Sequence, residues 1–237
     1  MTKTSEVFST LQKDSRGPVS IRRLGRVEYA DALEMQKALV EDRRAGRIGD
    51  ALLLLEHPPV ITLGVKTRGK STNILASPDR LADAGVGVFD TGRGGDVTYH
   101  GPGQLVGYPI LDLQPDRCDV HRYVRDLEEV LIQAVALFGV TGVRVPGLTG
   151  VWVGAPGREE KLAAIGVRIS RWITSHGFAL NVAPDLDHFR LIVPCGIADR
   201  GTTSLERLLG HAVPMEDVQD AVVRAFGETF HAQTLDV

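Results

Sequence analysis

Cysteine is almost missing from this chain: two residues, Cys118 and Cys195, in 237. Two thiols without zinc-type spacing exclude a disulfide-stapled scaffold and a structural metal knot. Long hydrophobic runs are missing too, and no stretch approaches the roughly 18 apolar residues of a membrane span. There is no basic excess. The formal charge of −3 and pI near 6.2 argue against a general nucleic-acid binder, for which a strongly basic surface is expected. Residues 1–18 lack the apolar core of a secretion signal and read as a polar, flexible leader. No internal repeat or low-complexity linker occurs. The length fits one large domain or two small ones, with 19–237 as the folded part, in a reduced, cytoplasmic protein. Positive charge is confined to small clusters: Arg22, Arg23 and Arg26; Arg43, Arg44 and Arg47; Lys66, Arg68 and Lys70. Each is either a solvated face or a docking point for an acidic partner.

What the chain does have is glycine in one place. Six of the sixteen residues from 92 to 107 are glycine, and among them stand Arg93, Asp96, Tyr99, His100 and Gln104. Glycine costs backbone entropy, so a chain keeps it where it bends sharply or lets a ligand approach. Either a mobile surface loop or a substrate cradle fits that density. The flank decides for the cradle, because 105–113 is apolar enough to be a buried strand that pins the loop to the core.

Periodicity predicts the remaining elements. Strands are expected at 19–24, 51–56, 60–63, 86–90, 105–113, 150–154, 161–170 and 174–181, with 51–56 central in a sheet. Helices are expected at 27–44, with Gln36 interrupting the apolar face, at 78–84 with Pro78 in the first turn, at 120–138 and at 215–230. A helical turn is expected at 185–189. Thr203 and Glu206 fit a capping box that opens a helix through Leu209. Strands outnumber helices and several look hairpin-joined, so the fold class is α+β, a mixed sheet with flanking helices.

Cys195 sits between Pro194 and Gly196 after an apolar run, so its thiol rides a rigid turn at a strand end. A buried, inert thiol is the plain reading. A nucleophile is the sharper one, and it needs a base or cation to hold it as thiolate. His100 and His176 are candidates. Lys161 is another: strand alternation puts it on a face with Ala163, Ile165, Val167 and Ile169, where partial desolvation suits it to move protons. The alternative is that Lys161 begins the strand and reaches into water. A Cys–Lys pair would form thiolate and ammonium together. Cys118, beside charged residues, reads as a partly exposed, non-functional thiol. His57, His121, His188, His211 and His231 lack metal-type spacing and read as structural or solvent-facing.

At these residues the sequence resembles the lipoate-pathway octanoyltransferases. The resemblance is carried by RGGDVTYHGPGQLVGYPILDL (93–113), GVWV (150–153), KLAAIGVRIS (161–170), HGFALNV (176–182) and IVPCGI (192–197). LLLLEHPPVITLG (52–64) and TTSLERLLG (202–210) also fit. It implies a biotin/lipoate protein ligase-like single domain without cofactor, metal or nucleotide. It also implies an acyltransferase that moves octanoyl from acyl carrier protein to one lysine of a lipoyl domain. The acceptors would be the lipoyl domains of 2-oxoacid dehydrogenase complexes and the glycine cleavage H protein, the enzyme a monomer, with no nucleic acid or membrane involved. The matching nucleophile is Cys195 and its partner is Lys161. The matching acyl pocket is Arg93, Gly94, Gly95, Asp96, Val97, Thr98, Tyr99 and His100, with Ala164, Ile165, Gly166, Gly177, Phe178 and Ala179. Backbone N–H groups near Gly94–Gly95 or Gly196 would hold the oxyanion. Leu162, Ile165 and Phe178 are candidate walls, though alternation cannot put all three on one face.

Two rival functions share these features. An ATP-dependent lipoate or biotin protein ligase would use the glycine loop for an acyl-adenylate and need no cysteine. A non-catalytic module that holds acyl carrier protein or a lipoyl domain would need neither Cys195 nor Lys161. Fold analogy alone does not separate them.

Overall fold

The computed structural model describes residues 17–67, 73–193 and 200–237. Cys195 and its flanking Pro194 and Gly196, together with Arg68, Lys70 and residues 1–16, lie outside the described residues. In chain order the elements are β1 (Val19–Arg26), α1 (Tyr29–Arg44), β2 (Ala51–Glu56), β3 (Val60–Leu63), α2 (Pro78–Asp83), β4 (Gly87–Asp90), β5 (Val97–His100) and β6 (Gln104–Ile110). Then follow α3 (Val120–Ala136), β7 (Val143–Val145), β8 (Leu148–Val153), β9 (Glu160–Ser170), β10 (Ile173–Asn181), a 3₁₀ helix (Leu186–Leu191), α4 (Leu205–Leu209), α5 (Met215–Phe230) and β11 (Thr234–Asp236).

The strand β2 shows why this chain makes a layered sheet. Leu52 and Leu54 enter the core beneath α3 and α5, whereas Leu53 and Leu55 enter the core beneath α1. Successive side chains of a strand point to opposite faces, so an unbroken leucine run requires cover on both. Each such buried leucine stabilises the fold by about 1.5–3 kcal/mol. The eight-stranded sheet runs β11-β1-β2-β6-β10-β9-β8-β7. It is parallel at β11-β1-β2 and antiparallel from β2 to β7. The first and last strands are therefore neighbours. A three-stranded sheet, β4-β3-β5, closes a third core with the 3₁₀ helix and α2.

Helix α3 starts where Asp119 accepts hydrogen bonds from the N–H groups of His121 and Arg122. It buries Tyr123, Leu127, Val130, Leu131 and Ala134, but Val120, expected on that stripe, is exposed. Two local expectations are corrected. The helix after residue 203 is capped by Ser204, whose side chain accepts from the Arg207 N–H, while the Thr203 hydroxyl is buried. Gln36 does not interrupt the buried face of α1 but belongs to it, at 2% exposure, because its Oε1 accepts a hydrogen bond from the His176 N–H at 2.7 Å. Ion pairs occupy the second cluster, Arg43 with Asp50 and Asp112, Arg44 with Glu41 and Arg47 with Asp42, and in the first cluster Arg23 pairs with Asp220 and Asp236.

Candidate active site

The glycine loop lies across β9. The Gly94 N–H donates to the Val167 carbonyl at 2.8 Å, so this amide is already spent and is not an oxyanion donor. The close approach explains Gly166: a Cβ there would come within 3.0 Å of the Gly94 carbonyl oxygen and 3.2 Å of Arg93 Cδ. The partner strand has the same restriction, since a Cβ on Gly177 would lie 2.2 Å from the Gly107 carbonyl oxygen. Arg93 fastens the loop from below. Its guanidinium donates to the Thr62 carbonyl at 2.6 Å, to the Thr62 hydroxyl, and to the Gly94 carbonyl at 3.0 Å. Asp96 ties the other end, accepting from the Val97 N–H and from Asn73 Nδ2.

Between loop and strands opens a cleft. Of the sequence-predicted residues, Arg93, Gly95, Asp96, Thr98, His100, Ala164, Ile165, Gly166, Gly177, Phe178 and Ala179 line it. Val97 and Tyr99 do not. Alternation along β5 turns them into the third core, where Tyr99 stacks on His188 and its hydroxyl lies 3.2 Å from His188 Nδ1. Leu162 belongs to the core under α3. Tyr29, Tyr108 and His176 also line the cleft.

A smaller cavity adjoins it, lined by Lys161, Gln104, Asn181, Phe189 and Thr202 and sharing Thr98 and Ala164 with the cleft. Lys161 thus shares its cavity with Ala164 and not with Ala163. The cause is a register shift: Val151 pairs with Ala163, but Trp152 pairs with Lys161, so β9 carries one extra residue there. Such a bulge re-aims the side chain beyond it. Lys161 is 8% exposed, and its Nζ stands 4.7 Å from the centre of the Trp152 ring. The Arg200 guanidinium lies over the same ring at 5.8 Å. The neighbouring Gly150 N–H donates to Glu128, a carboxylate buried in α3 and paired with Arg125 and Arg144.

A buried polar chain leads from the cleft to this lysine. His100 Nδ1 donates to Gln104 Oε1 at 2.7 Å, Gln104 Nε2 donates to Asn181 Oδ1 at 2.9 Å, and Asn181 Nδ2 donates to the Thr203 carbonyl at 2.9 Å. Thr203 N–H then donates to the Lys161 carbonyl, and Lys161 N–H donates to the Gly201 carbonyl. Gln104 stood in the glycine motif without a role, and Asn181 and Thr202 lay in segments that fit the resemblance without being singled out.

Burial decides the charge of the histidines. His100 is driven down to about 3 by desolvation and by neighbouring His57. His57 falls to about 4 by desolvation, with Nδ1 donating to the Val27 carbonyl and Nε2 accepting from the Tyr108 hydroxyl. His176 falls to about 4 through desolvation and the positive charge of Arg93. All three are neutral imidazoles near pH 7. Tyr29 is pushed up to about 12 by burial and keeps its proton. His176 pairs with Val167, six residues along β9 from Lys161 and about 20 Å away. It therefore belongs to the opposite end of the cleft. Among the described residues no three His, Cys, Asp or Glu side chains converge as a metal site requires, and no helix is long and apolar enough to cross a membrane.

Residues 28–227 match the family model of the lipoyl protein ligase A/B catalytic domain. An octanoyltransferase of Acidobacterium capsulatum is 54% identical over 228 residues, covering 92% of each chain. One of Myxococcus xanthus is 54% identical over 220 residues, and there the match covers 92% of this chain but 61% of the longer relative. Among solved structures, a bipartite lipoate protein ligase of Thermoplasma acidophilum superposes with a TM-score of 0.67 at 17% identity, covering 94% of this chain and 86% of that one. Biotin protein ligase of Aquifex aeolicus superposes at 0.55 and 14% identity, covering 90% and 70%. These likenesses fix the fold, a mixed sheet with flanking helices. With more than half of its residues identical to octanoyltransferases over nine-tenths of its length, the chain belongs to the lipoyl protein ligase A/B catalytic-domain family, among its octanoyltransferases.

Proposed function

We propose that the chain transfers octanoyl from the thioester of acyl carrier protein to a lysine of lipoyl domains, through an acyl-enzyme on Cys195. The acceptors are lipoyl domains of 2-oxoacid dehydrogenase complexes and the glycine cleavage H protein, and residues 19–237 act as one catalytic domain, monomeric and cytoplasmic. The observation that carries this reading is a buried lysine, Lys161, in a cavity that borders a largely apolar cleft at Thr98 and Ala164. The pairing of the first and last strands supports the single domain. Both flanks of segment 194–199 are tied beside the cleft: Val193 N–H donates to the carbonyl of Asn73, which also holds Asp96, and Gly201–Thr203 bracket Lys161.

In the proposed sequence Lys161 takes the Cys195 thiol proton, and the thiolate attacks the thioester carbon. The carrier thiolate leaves and takes the proton back from the Lys161 ammonium. One thioester has replaced another. The neutral amine of the acceptor lysine then attacks the acyl-enzyme, Lys161 receives its proton, and Cys195 departs as thiolate and is reprotonated. The test is transfer from octanoyl-carrier to a lipoyl domain without ATP, with and without Cys195→Ala. Octanoylated domain from the parent and none from the variant is expected. Octanoylation only from free octanoate with ATP would assign the chain to ligase chemistry instead.

A further inference from the structure

The cleft has two ends, and they differ in kind. One adjoins the Lys161 cavity, with Thr98 and Ala164 common to both linings. At the other stands His176, which lines both the cleft and a separate outer cleft of about 1190 Å³ that opens to solvent beneath α1. No other residue is common to these two spaces. The outer cleft offers apolar Leu33, Val40 and Ile173 as well as polar groups.

The distance between the ends has a chemical meaning. Along β9, Ala164 and Val167, the residue paired with His176, are three steps of about 3.3 Å, or roughly 10 Å, apart. An extended eight-carbon chain, seven carbon–carbon bonds of about 1.5 Å at tetrahedral angles, is about 9 Å long.

The way His176 is held is consistent with a fixed wall. Its φ is +53°, a left-handed conformation that is uncommon for a residue with a Cβ. Gln36 secures the bend through the His176 N–H, and Tyr108 meets the imidazole edge-to-face at 6.2 Å. Gln36 and Tyr108 are both buried. Desolvation keeps the ring neutral, which suits it to face the methyl end of a chain.

The geometry points to His176 as the end wall of the acyl cleft, the residue that limits the acyl group to about eight carbons by closing the passage into the outer cleft. This rests on the reading of the cleft as an acyl site.

The test compares kcat/KM for octanoyl- and dodecanoyl-carrier in the parent, His176→Gly and His176→Asn. Glycine adopts positive φ freely and asparagine tolerates it, so both variants suit the backbone while shortening the wall. The ratio of dodecanoyl to octanoyl activity is expected to rise about tenfold in His176→Gly, the worth of roughly two newly buried methylenes, and less in His176→Asn. An unchanged ratio in both folded variants, or loss of all activity with no change in chain preference, overturns the assignment. Calorimetric titration of octanoate and dodecanoate reads the same ratio without turnover. A parent that binds octanoate but transfers nothing from the carrier therefore refutes the transferase reading alone. A dodecanoate-to-octanoate ratio that is the same in parent and variants refutes the end wall alone.

Discussion

The two ends of the cleft are built on opposite principles. At the Lys161 end a lysine amine is enclosed and backbone and side chains are hydrogen-bonded in series from His100 to Thr203. At the His176 end one neutral ring under α1 separates two spaces. The first end is arranged to hold geometry while protons move; the second has only to stop a chain. Substitutions at the Lys161 end should therefore change rate, and substitutions at the His176 end should change choice of substrate.

The largest break in that comparison is expected from chemistry. Lys161→Ala should lower kcat by about 10²–10⁴ while leaving the KM for octanoyl-carrier within a few-fold, measured by steady-state transfer. An equal rise in KM would make Lys161 a binding residue. Next is Glu128→Ala, which strips the partner from the Gly150 N–H and from Arg125 and leaves Arg144 with Glu129. Orphaning the buried Gly150 N–H should cost about 1–3 kcal/mol in denaturant unfolding; a loss below about 1 kcal/mol would make the network peripheral. Smaller again is Asn181→Ala. It breaks the polar chain between Gln104 and Thr203, and should lower kcat about tenfold with little change in KM, since a hydrogen bond left half-made costs about 1–3 kcal/mol. Asn181→Asp retains the acceptor for Gln104 but not the donor to Thr203, and should not restore the rate.

A separate effect is expected on stability against pH. His57, His100 and His176 are depressed to about 4, 3 and 4, whereas an unfolded histidine titrates near 6.5. Below about 6.5 the unfolded chain binds protons that the native chain refuses. Stability is therefore full above about pH 6.5 and is lost as pH falls toward the folded values, by up to about 1.4 kcal/mol per pH unit for each histidine. Thermal unfolding from pH 7 to 5 should show a falling Tm, with a shallower fall in His57→Gln. A flat profile would mean that these rings take up protons in the folded chain as readily as in the unfolded one.

Much of this was legible in the sequence, and the exceptions have physical causes. The leucine run of β2 and the stripe of α5 declare themselves, because burial on fixed faces imposes a period. The glycine motif announced the loop that crosses β9. Periodicity could not reveal the bulge at Leu162, which depends on how β8 pairs with β9 and reverses where Lys161 points. Nor could it show that Gln36 is buried, because its partner is a backbone N–H 140 residues away. Along β5, two-residue alternation does account for why Thr98 and His100 line the cleft while Val97 and Tyr99 do not. His176 carried a faint signal: a histidine before a glycine in a strand, where a left-handed residue is not expected.

The central claim is that Cys195 holds the acyl group between carrier and acceptor. Its most direct test is intact-protein mass spectrometry after mixing with octanoyl-acyl carrier protein, with peptide mapping of the adduct. The account predicts one octanoyl group on Cys195, absent in Cys195→Ala and discharged when a lipoyl domain is added. Full transfer by Cys195→Ala, or an adduct that maps elsewhere and is not discharged, would contradict it.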